Sequence, residues 1–341
     1  MARQGRQPAG ADAVPNLTAL RVLRGGVGGE LSELDLQLID LLQADGRMSF
    51  ADLARNAKVT EKTVRRRLAH LRENAFIEIV AVTDPGLLGH NAVALACIKL
   101  GPSANTRNLA DTLAAIPEVD YVTTTTGRFA LQAELMCADV AEVQRIVDDS
   151  IRPLSGVAEV ELLSYLRLHY QQARFRGVVS ESAGSAVRPR VLDDTDRALI
   201  SRLCVDGRAS FAELSAGLGI AETTARQRLQ RMTGDGAVRV MAIANPLRIG
   251  YPAACWVAIQ VGPGTRVVDV AEALTQLRSV TYVAITAGSY DLMVEVVCPD
   301  TESLLDVVDG QIRTRDGVAR TEVWRYSELH YKPLLPREFR R

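Results

Sequence analysis

Shifted by 161 positions, this 341-residue sequence matches itself without a gap from about residue 34 to residue 172. Asp35 falls on Asp196, and the run Asp45-Gly46-Arg47-Met48-Ser49-Phe50-Ala51 falls on Asp206-Gly207-Arg208-Ala209-Ser210-Phe211-Ala212. Gly101-Pro102 falls on Gly262-Pro263, Tyr121-Val122 on Tyr282-Val283, Cys137 on Cys298 and His169-Tyr170 on His330-Tyr331. A match of that length with no insertion restricts the chain to two copies of one folding unit, each of roughly 140 residues. Two copies are too few, and each is too long, for a solenoid, so a fused pair acting as a built-in dimer is expected. Residues 173–192 are rich in Ser, Gly, Ala and Arg, lack apolar periodicity, and read as the linker between the copies. Residues 1–31 carry no apolar core of signal-peptide type and read as a disordered arm, and residues 334–341 as a short tail.

Composition closes off several classes of function. With 40 Lys and Arg against 41 Asp and Glu the formal net charge is −1, which excludes a polycationic coat but leaves room for a local basic patch. The five cysteines, Cys97, Cys137, Cys204, Cys255 and Cys298, show neither C-x-x-C nor His-paired spacing, so neither a disulfide framework nor a metal site is expected. No apolar run reaches membrane-spanning length, and a cytoplasmic protein is expected. No Gly-rich phosphate loop or nucleophile elbow appears, and no cofactor is expected.

The first third of each copy reads as three helices. Ser32 and Asp35 resemble a capping box, followed by Leu34, Leu38, Leu41 and Leu42 at helical spacing. Asp45-Gly46-Arg47 ends that helix, and Ser49 with Asp52 opens a short second one carrying Phe50, Leu53 and Ala54 on one face. After a break at residues 56–59, Thr60 caps a third helix over 61–74, with Val64, Leu68 and Leu71 facing inward. The second copy repeats the pattern with Ser210 and Glu213, but places Ala221 where Thr60 stands and so loses that cap. A short helix, a tight break and a further helix form the helix-turn-helix pattern, which lays its last helix in the major groove of DNA. From Lys58 to Arg72 there are six basic residues against one acidic, an arrangement suited to phosphates and guanine edges. The candidate DNA contacts are Lys62, Thr63, Arg65, Arg66, Arg67 and Arg72 in the first copy, and Thr224, Arg226 and Arg228 in the second. Arg67 and Arg228 stand one residue from the inward leucines, where they either touch phosphate or brace the fold. The second copy has three basic residues in the same stretch and is expected to bind more weakly.

A strand at 77–82 (238–243 in the second copy) connects the head to a second domain, whose pattern is strand, helix, strand, strand, helix, strand. The first copy places these at 92–100, 106–116, 119–126, 129–137, 140–151 and 157–166. The fold class expected is α+β: two copies of a helix-turn-helix head followed by a ferredoxin-like βαββαβ domain. The boundaries are 32–83 and 84–172, then 193–244 and 245–333. Two helices cover one face of each sheet; the other face is expected to be buried against the second copy's sheet.

This two-part unit resembles the Lrp/AsnC (feast/famine) family of transcriptional regulators. The resemblance rests on Leu34-Asp35 through Leu42-Gln43-Ala44-Asp45-Gly46-Arg47, on Thr63-Val64-Arg65-Arg66-Arg67-Leu68, and on Gly288-Ser289-Tyr290-Asp291 at the turn between strands two and three of the second sensing domain. It covers residues 32–172 and 193–333; the first copy departs at that turn, with Gly127-Arg128-Phe129-Ala130. The resemblance implies a regulator of double-stranded DNA that responds to an amino acid or related metabolite and forms homo-oligomers through its sensing domains. It implies effector contacts at Gly288, Ser289, Tyr290 and Asp291, with Gly127 and Arg128 at the corresponding turn, where a structural role is favoured. It also raises a rival, because siroheme decarboxylases are likewise built as fused Lrp-like pairs and look to His and Arg residues near the sensing-domain cleft. The four histidines here, His70, His90, His169 and His330, stand away from the two turns in sequence, which favours the regulator over an enzyme. Lys62 and Arg66 align with Thr223 and Gln227, so an asymmetric operator is expected, with the first head reading the stronger half-site.

Overall fold

The computed structural model describes residues 31–171, 192–332, 335 and 337. The expected arm, linker and tail lie outside the described residues, but for Leu31, Leu192, Leu335 and Arg337. The first head comprises α1 (Glu33–Ala44), α2 (Phe50–Ala57) and α3 (Glu61–Glu73); the second comprises α6 (Asp194–Val205), α7 (Phe211–Leu218) and α8 (Glu222–Gly234). The caps behave as their side chains dictate. Ser32 and Asp35 satisfy each other's backbone N–H groups, as do Ser210 and Glu213, and Thr60 accepts from the Thr63 N–H. Ala221 provides no side-chain cap although its backbone (φ −70°, ψ 147°) already has the conformation a cap needs. Ala221→Thr should therefore raise unfolding free energy by about 1 kcal/mol, read as a shifted urea midpoint at unchanged slope.

The strand after each head is more than a connector. β1 (Ile77–Thr83) and β6 (Val238–Ala244) pair antiparallel with Val80 opposite Met241, and the two heads share one apolar core containing Leu38, Leu42 and Leu71 of the first and Leu199, Leu203 and Leu229 of the second. Asp-Gly-Arg, expected only to stop the first helix, locks this pair. The Gly46 N–H donates to Val240 O at 2.8 Å and the Gly207 N–H to Ile79 O at 2.7 Å. A Cβ at Gly46 would lie 2.8 Å from the Met241 backbone N, so the approach requires glycine. The Arg47 guanidinium donates to the carbonyls of Gly207 (2.7 Å) and Ala209 (3.0 Å), and Arg208 reciprocates to Gly46 (2.8 Å) and Met48 (3.0 Å).

The sensing domains follow the expected order. The first has β2 (Ala92–Leu100), α4 (Thr106–Ala115), β3 (Val119–Thr126), β4 (Leu131–Cys137), α5 (Val140–Ile146) and β5 (Val157–Gln171). The second has β7 (Ala253–Val261), α9 (Val267–Thr275), β8 (Val280–Ala287), β9 (Leu292–Cys298), α10 (Thr301–Leu305) and β10 (Val318–Tyr331). Both α5 and α10 continue as π-helical turns, to Ile151 and Ile312. Each sheet has the ferredoxin-like strand order, and the two join edge to edge into a closed barrel, β10-β3-β4-β2-β5-β8-β9-β7. The open faces do meet, but through more than face packing: β5 runs past its expected end at 166, and β10 past the equivalent point in the second copy, because their second halves leave their own sheet. Ser164–Gln171 pairs with Ala287–Tyr282 of β8, and Arg325–Tyr331 with Thr126–Tyr121 of β3. Closure leaves no unpaired edge for a further strand.

Alternate residues of these strands divide between two environments. Ala94, Ala96 and Ile98 face the helices, whereas Leu95 and Cys97 join Trp256, Trp324, Tyr282 and Tyr290 inside the barrel. Two carboxylates also lie there. Glu134 accepts hydrogen bonds from the hydroxyls of Tyr165 and Tyr282, both at 2.7 Å. Glu295, its repeat equivalent, accepts from Tyr326 (2.8 Å) and Tyr121 (2.5 Å). Each carboxylate thus takes one tyrosine from its own unit and one from the other, a polar lock across the barrel seam.

Candidate nucleic-acid interface and effector turns

On α3, burial of Val64, Leu68 and Leu71 turns Lys62, Arg66, Ala69 and Glu73 directly outward, and all four are exposed. Lys62 and Arg66 have no ion-pair partner among the described residues, leaving both cations available to solvent. Thr63 is committed to the cap, with its hydroxyl 3.0 Å from that of Thr60. Arg65 is exposed, but its guanidinium lies 3.9 Å from the Phe50 ring centroid and 3.5 Å from Glu61. In the second head Arg226 lies over Phe211 at 4.3 Å, the same arrangement, and Thr224 is half-buried. These stacked arginines are held at the rim of the outward face.

Three of the residues expected at DNA are engaged within the protein. Arg67 donates from Nε to Asp35 Oδ1 at 2.6 Å and from Nη2 to the other oxygen of the same, fully buried carboxylate. Burial by itself would raise the Asp35 carboxyl, but hydrogen bonds from Arg67 and Ser32 outweigh it and hold the group below the ordinary carboxylate range. Arg228 is bound likewise to Asp193 (2.6 Å) and Asp196 (2.8 Å). Both arginines therefore brace the third helix on the first, the second of the two roles open to residues beside inward leucines. Arg72 reaches across to Asp206 of the second head at 3.3 Å and adds to the contact between heads.

The turns between strands two and three sit against the last strand of the opposite unit. Gly288 has φ +151°, and a Cβ there would come within 2.6 Å of Leu163 on β5; Gly127, φ +147°, faces Trp324 on β10. The expected effector groups are partly occupied. Asp291, an expected effector contact, accepts from the Val261 N–H at 2.8 Å through one carboxylate oxygen, which ties the turn to the sheet. Tyr290 is buried, edge-on to Trp324 with 5.6 Å between centroids, and burial together with its bond to Glu322 pushes its hydroxyl up to about 12. Ser289 is exposed, while its carbonyl accepts from Gln260 at 2.8 Å. Arg128 bridges the two turns: its Nη1 is 3.4 Å from the Tyr290 hydroxyl and its Nη2 3.6 Å from Glu161, with 40% of the side chain exposed. Phe129, standing where the second copy has Tyr290, is buried at 5.2 Å from the same Trp324.

The histidines do not gather at these turns. His169 and His330 lie within β5 and β10 rather than after them, and face helices of the opposite unit: His169 Nε2 is 3.0 Å from Glu272 on α9, and His330 Nδ1 3.8 Å from Asp111 on α4. His70 is on α3 beside Asn74, and His90 Nε2 meets the Leu335 carbonyl. Sequence reasoning missed the Glu134 and Glu295 locks. The mark was there: a single acid in a mostly apolar strand, Leu131–Cys137, repeated 161 positions on in Leu292–Cys298.

Comparison with known proteins agrees with this geometry unit by unit. The AsnC-type helix-turn-helix domain family matches residues 31–72 and 192–233, and the Lrp/AsnC ligand binding domain family matches residues 93–174 and 254–326. An uncharacterised HTH-type transcriptional regulator of Pyrococcus abyssi is 33% identical over 132 residues, covering 38% of this chain and 83% of its own length. The regulatory protein AsnC of Escherichia coli is 26% identical over 133 residues, 39% of this chain and 88% of its own. Across both units, the crystal structure of the siroheme decarboxylase NirDL superposes with a TM-score of 0.58 at 17% identity, covering 90% of this chain and 96% of that one, a likeness of fold. Among the described residues no helix is long and apolar enough to cross a membrane. With both domain types matched twice, in the order head then sensing domain, the chain belongs to the Lrp/AsnC family of transcriptional regulators as a tandem of two complete units.

Proposed function

We propose that this protein is a sequence-specific DNA-binding regulator whose two covalently joined units form an internal pseudo-dimer, with α3 as the principal reading helix. The observation that carries the reading is the pair of unpartnered cations Lys62 and Arg66 on the outward face of a helix whose head is clamped to a second head. Clamping holds the two helices at a fixed separation, so they engage half-sites on one duplex about one turn (~34 Å) or a multiple apart. The chain acts in the cytoplasm on this reading. Sheet pairing, which single-unit relatives must obtain from a second chain, is satisfied within one polypeptide, and association of chains falls to the outer surfaces of the sensing domains. Fluorescence anisotropy with duplexes selected from randomised DNA tests the reading; failure to enrich any duplex at physiological salt would overturn it.

We further propose that a small metabolite bearing a carboxylate, an amino acid or a relative of one, binds where the two turns meet. Arg128 is the half-exposed cation of that seam and Ser289 its exposed hydroxyl. Arg128→Ala should weaken the bound metabolite by roughly tenfold or more, the value of a charge-assisted hydrogen bond, as measured by calorimetry after a thermal-shift screen of amino acids. The fold likeness to a siroheme decarboxylase favours one second reading, catalysis on a tetrapyrrole. The separation of the four histidines weighs against it, and an absorbance change on adding siroheme would revive it.

A further inference from the structure

The duplication has preserved one part of the reading helix and replaced another, and over the first two turns the division follows the helix geometry. At about 100° per residue, the positions opposite the buried Val64, Leu68 and Leu71 are 62, 66, 69 and 73. Their equivalents on α8 are 223, 227, 230 and 234, and all eight are exposed or lie at the outward rim. Of the flanking positions, 63, 65 and 67 keep their residues in the second copy and both arginines keep their contacts, whereas His70 and Arg72 give way to Arg231 and Thr233. Thr63 recurs as Thr224. Arg65 over Phe50 recurs as Arg226 over Phe211, and Arg67 on buried Asp35 recurs as Arg228 on buried Asp196. The outward positions differ at every one of the four: Lys62, Arg66, Ala69 and Glu73 in α3 against Thr223, Gln227, Gln230 and Gly234 in α8.

Resting on the DNA-binding reading above, we infer that the two heads read different bases and that the operator is a composite of unlike half-sites. The scaffold that seats the helix and offers a rim arginine to phosphate is common to both heads, so both dock. The groups presented to base edges are not common. Arg66 offers the two-pronged donor that fits guanine O6 and N7, with Lys62 one turn before it as a second donor to guanine. Gln227 offers a donor and an acceptor side by side, the pair that fits adenine N7 and N6, and Gln230 repeats the amide three residues on. Thr223 in α8 and Ala69 in α3 offer methyl groups to thymine. α3 thus selects a guanine-bearing half-site and α8 an adenine-bearing one. The Arg47 and Arg208 exchange clamps the two heads to each other, as engaging one duplex together requires.

The test is selection of the full chain on a randomised duplex library, alongside two sets of surface substitutions whose melting temperatures are first checked against the parent. The parent should enrich a two-part site with guanines in one half and adenines in the other. Lys62→Thr/Arg66→Gln/Ala69→Gln should turn the guanine half into a copy of the adenine half. Gln227→Arg should bring guanine into the second half. Exchanging the preferred base at either position should lower affinity on the order of tenfold. A parent site with the same bases in both halves, or a selected site that Gln227→Arg leaves unchanged, would refute the inference while leaving DNA binding intact. Enrichment of no duplex at all would remove the regulator reading with it.

Discussion

Glu134→Ala should lower the unfolding free energy by about 3–5 kcal/mol, because it strips a buried network of its acceptor. The hydroxyls of Tyr165 and Tyr282 both donate to Glu134 and are enclosed in the barrel, away from solvent that could replace it. Each orphaned buried donor costs about 1–3 kcal/mol, and the vacated volume adds a cavity term. The readout is favourable, since the chain has two tryptophans, Trp256 and Trp324, and both lie inside the barrel. Their fluorescence in urea reports the barrel itself. Glu134→Gln keeps an acceptor oxygen for the tyrosines and should cost much less. A loss below about 1 kcal/mol for the alanine variant would show that the lock contributes little.

The same residue sets a pH dependence of definite sign. Burial, opposed by the two tyrosine hydrogen bonds and reinforced by the nearby Glu295, holds the Glu134 carboxyl above its ordinary 4.5. The native state then binds this proton more tightly than the unfolded chain. Its contribution to stability is full below the unfolded value and fades as pH rises through the folded one. Asp35, held below its ordinary 3.8, acts in the opposite sense: its contribution is present above that value and is lost as pH falls through its folded pKa. The difference between the parent and Glu134→Gln isolates the first effect, and the substitution should flatten the decline.

Local chemistry made most of the fold readable. The capping boxes, the inward leucines of α1 and α3 and the alternating strands specify each element within a few residues. What escaped were contacts between the copies. A sequence shows that β1 is a strand but not that β6 is its partner, and it shows Asp-Gly-Arg as a helix stop but not Arg47 reaching Gly207, 160 residues away. The true length of β5 was hidden for the same reason, since its second half is ordered by β8 of the other unit. The reading helix was legible as basic, but not how its arginines divide. Only the placement of Asp35 and Phe50 separates the bracing Arg67 and the stacked Arg65 from the free Arg66. At the effector turns the motif pointed to one seam of the barrel. It did not foretell that Asp291 would be spent on the Val261 N–H, or that Arg128 of the divergent copy would lie beside Tyr290.

The second large effect concerns the outward face of α3. Lys62→Ala/Arg66→Ala should weaken specific DNA binding roughly 100-fold, the sum of one bidentate base contact and one cation near the phosphates. Neither side chain holds the fold, so melting temperature should stay close to that of the parent. The matched pair Thr223→Ala/Gln227→Ala removes no charge and should lower affinity by less, with an unchanged salt dependence. Arg67→Ala should instead act through stability, because it leaves the buried Asp35 carboxylate without its partner.

Titration of a labelled, selected duplex with the parent and with Lys62→Ala/Arg66→Ala, at several salt concentrations, addresses the central claim directly. The slope of log affinity against log salt should become shallower by about 1–2 units in the variant, together with the drop in affinity. Equal affinities and equal slopes for the two proteins would mean that DNA, if bound at all, is bound elsewhere on the molecule.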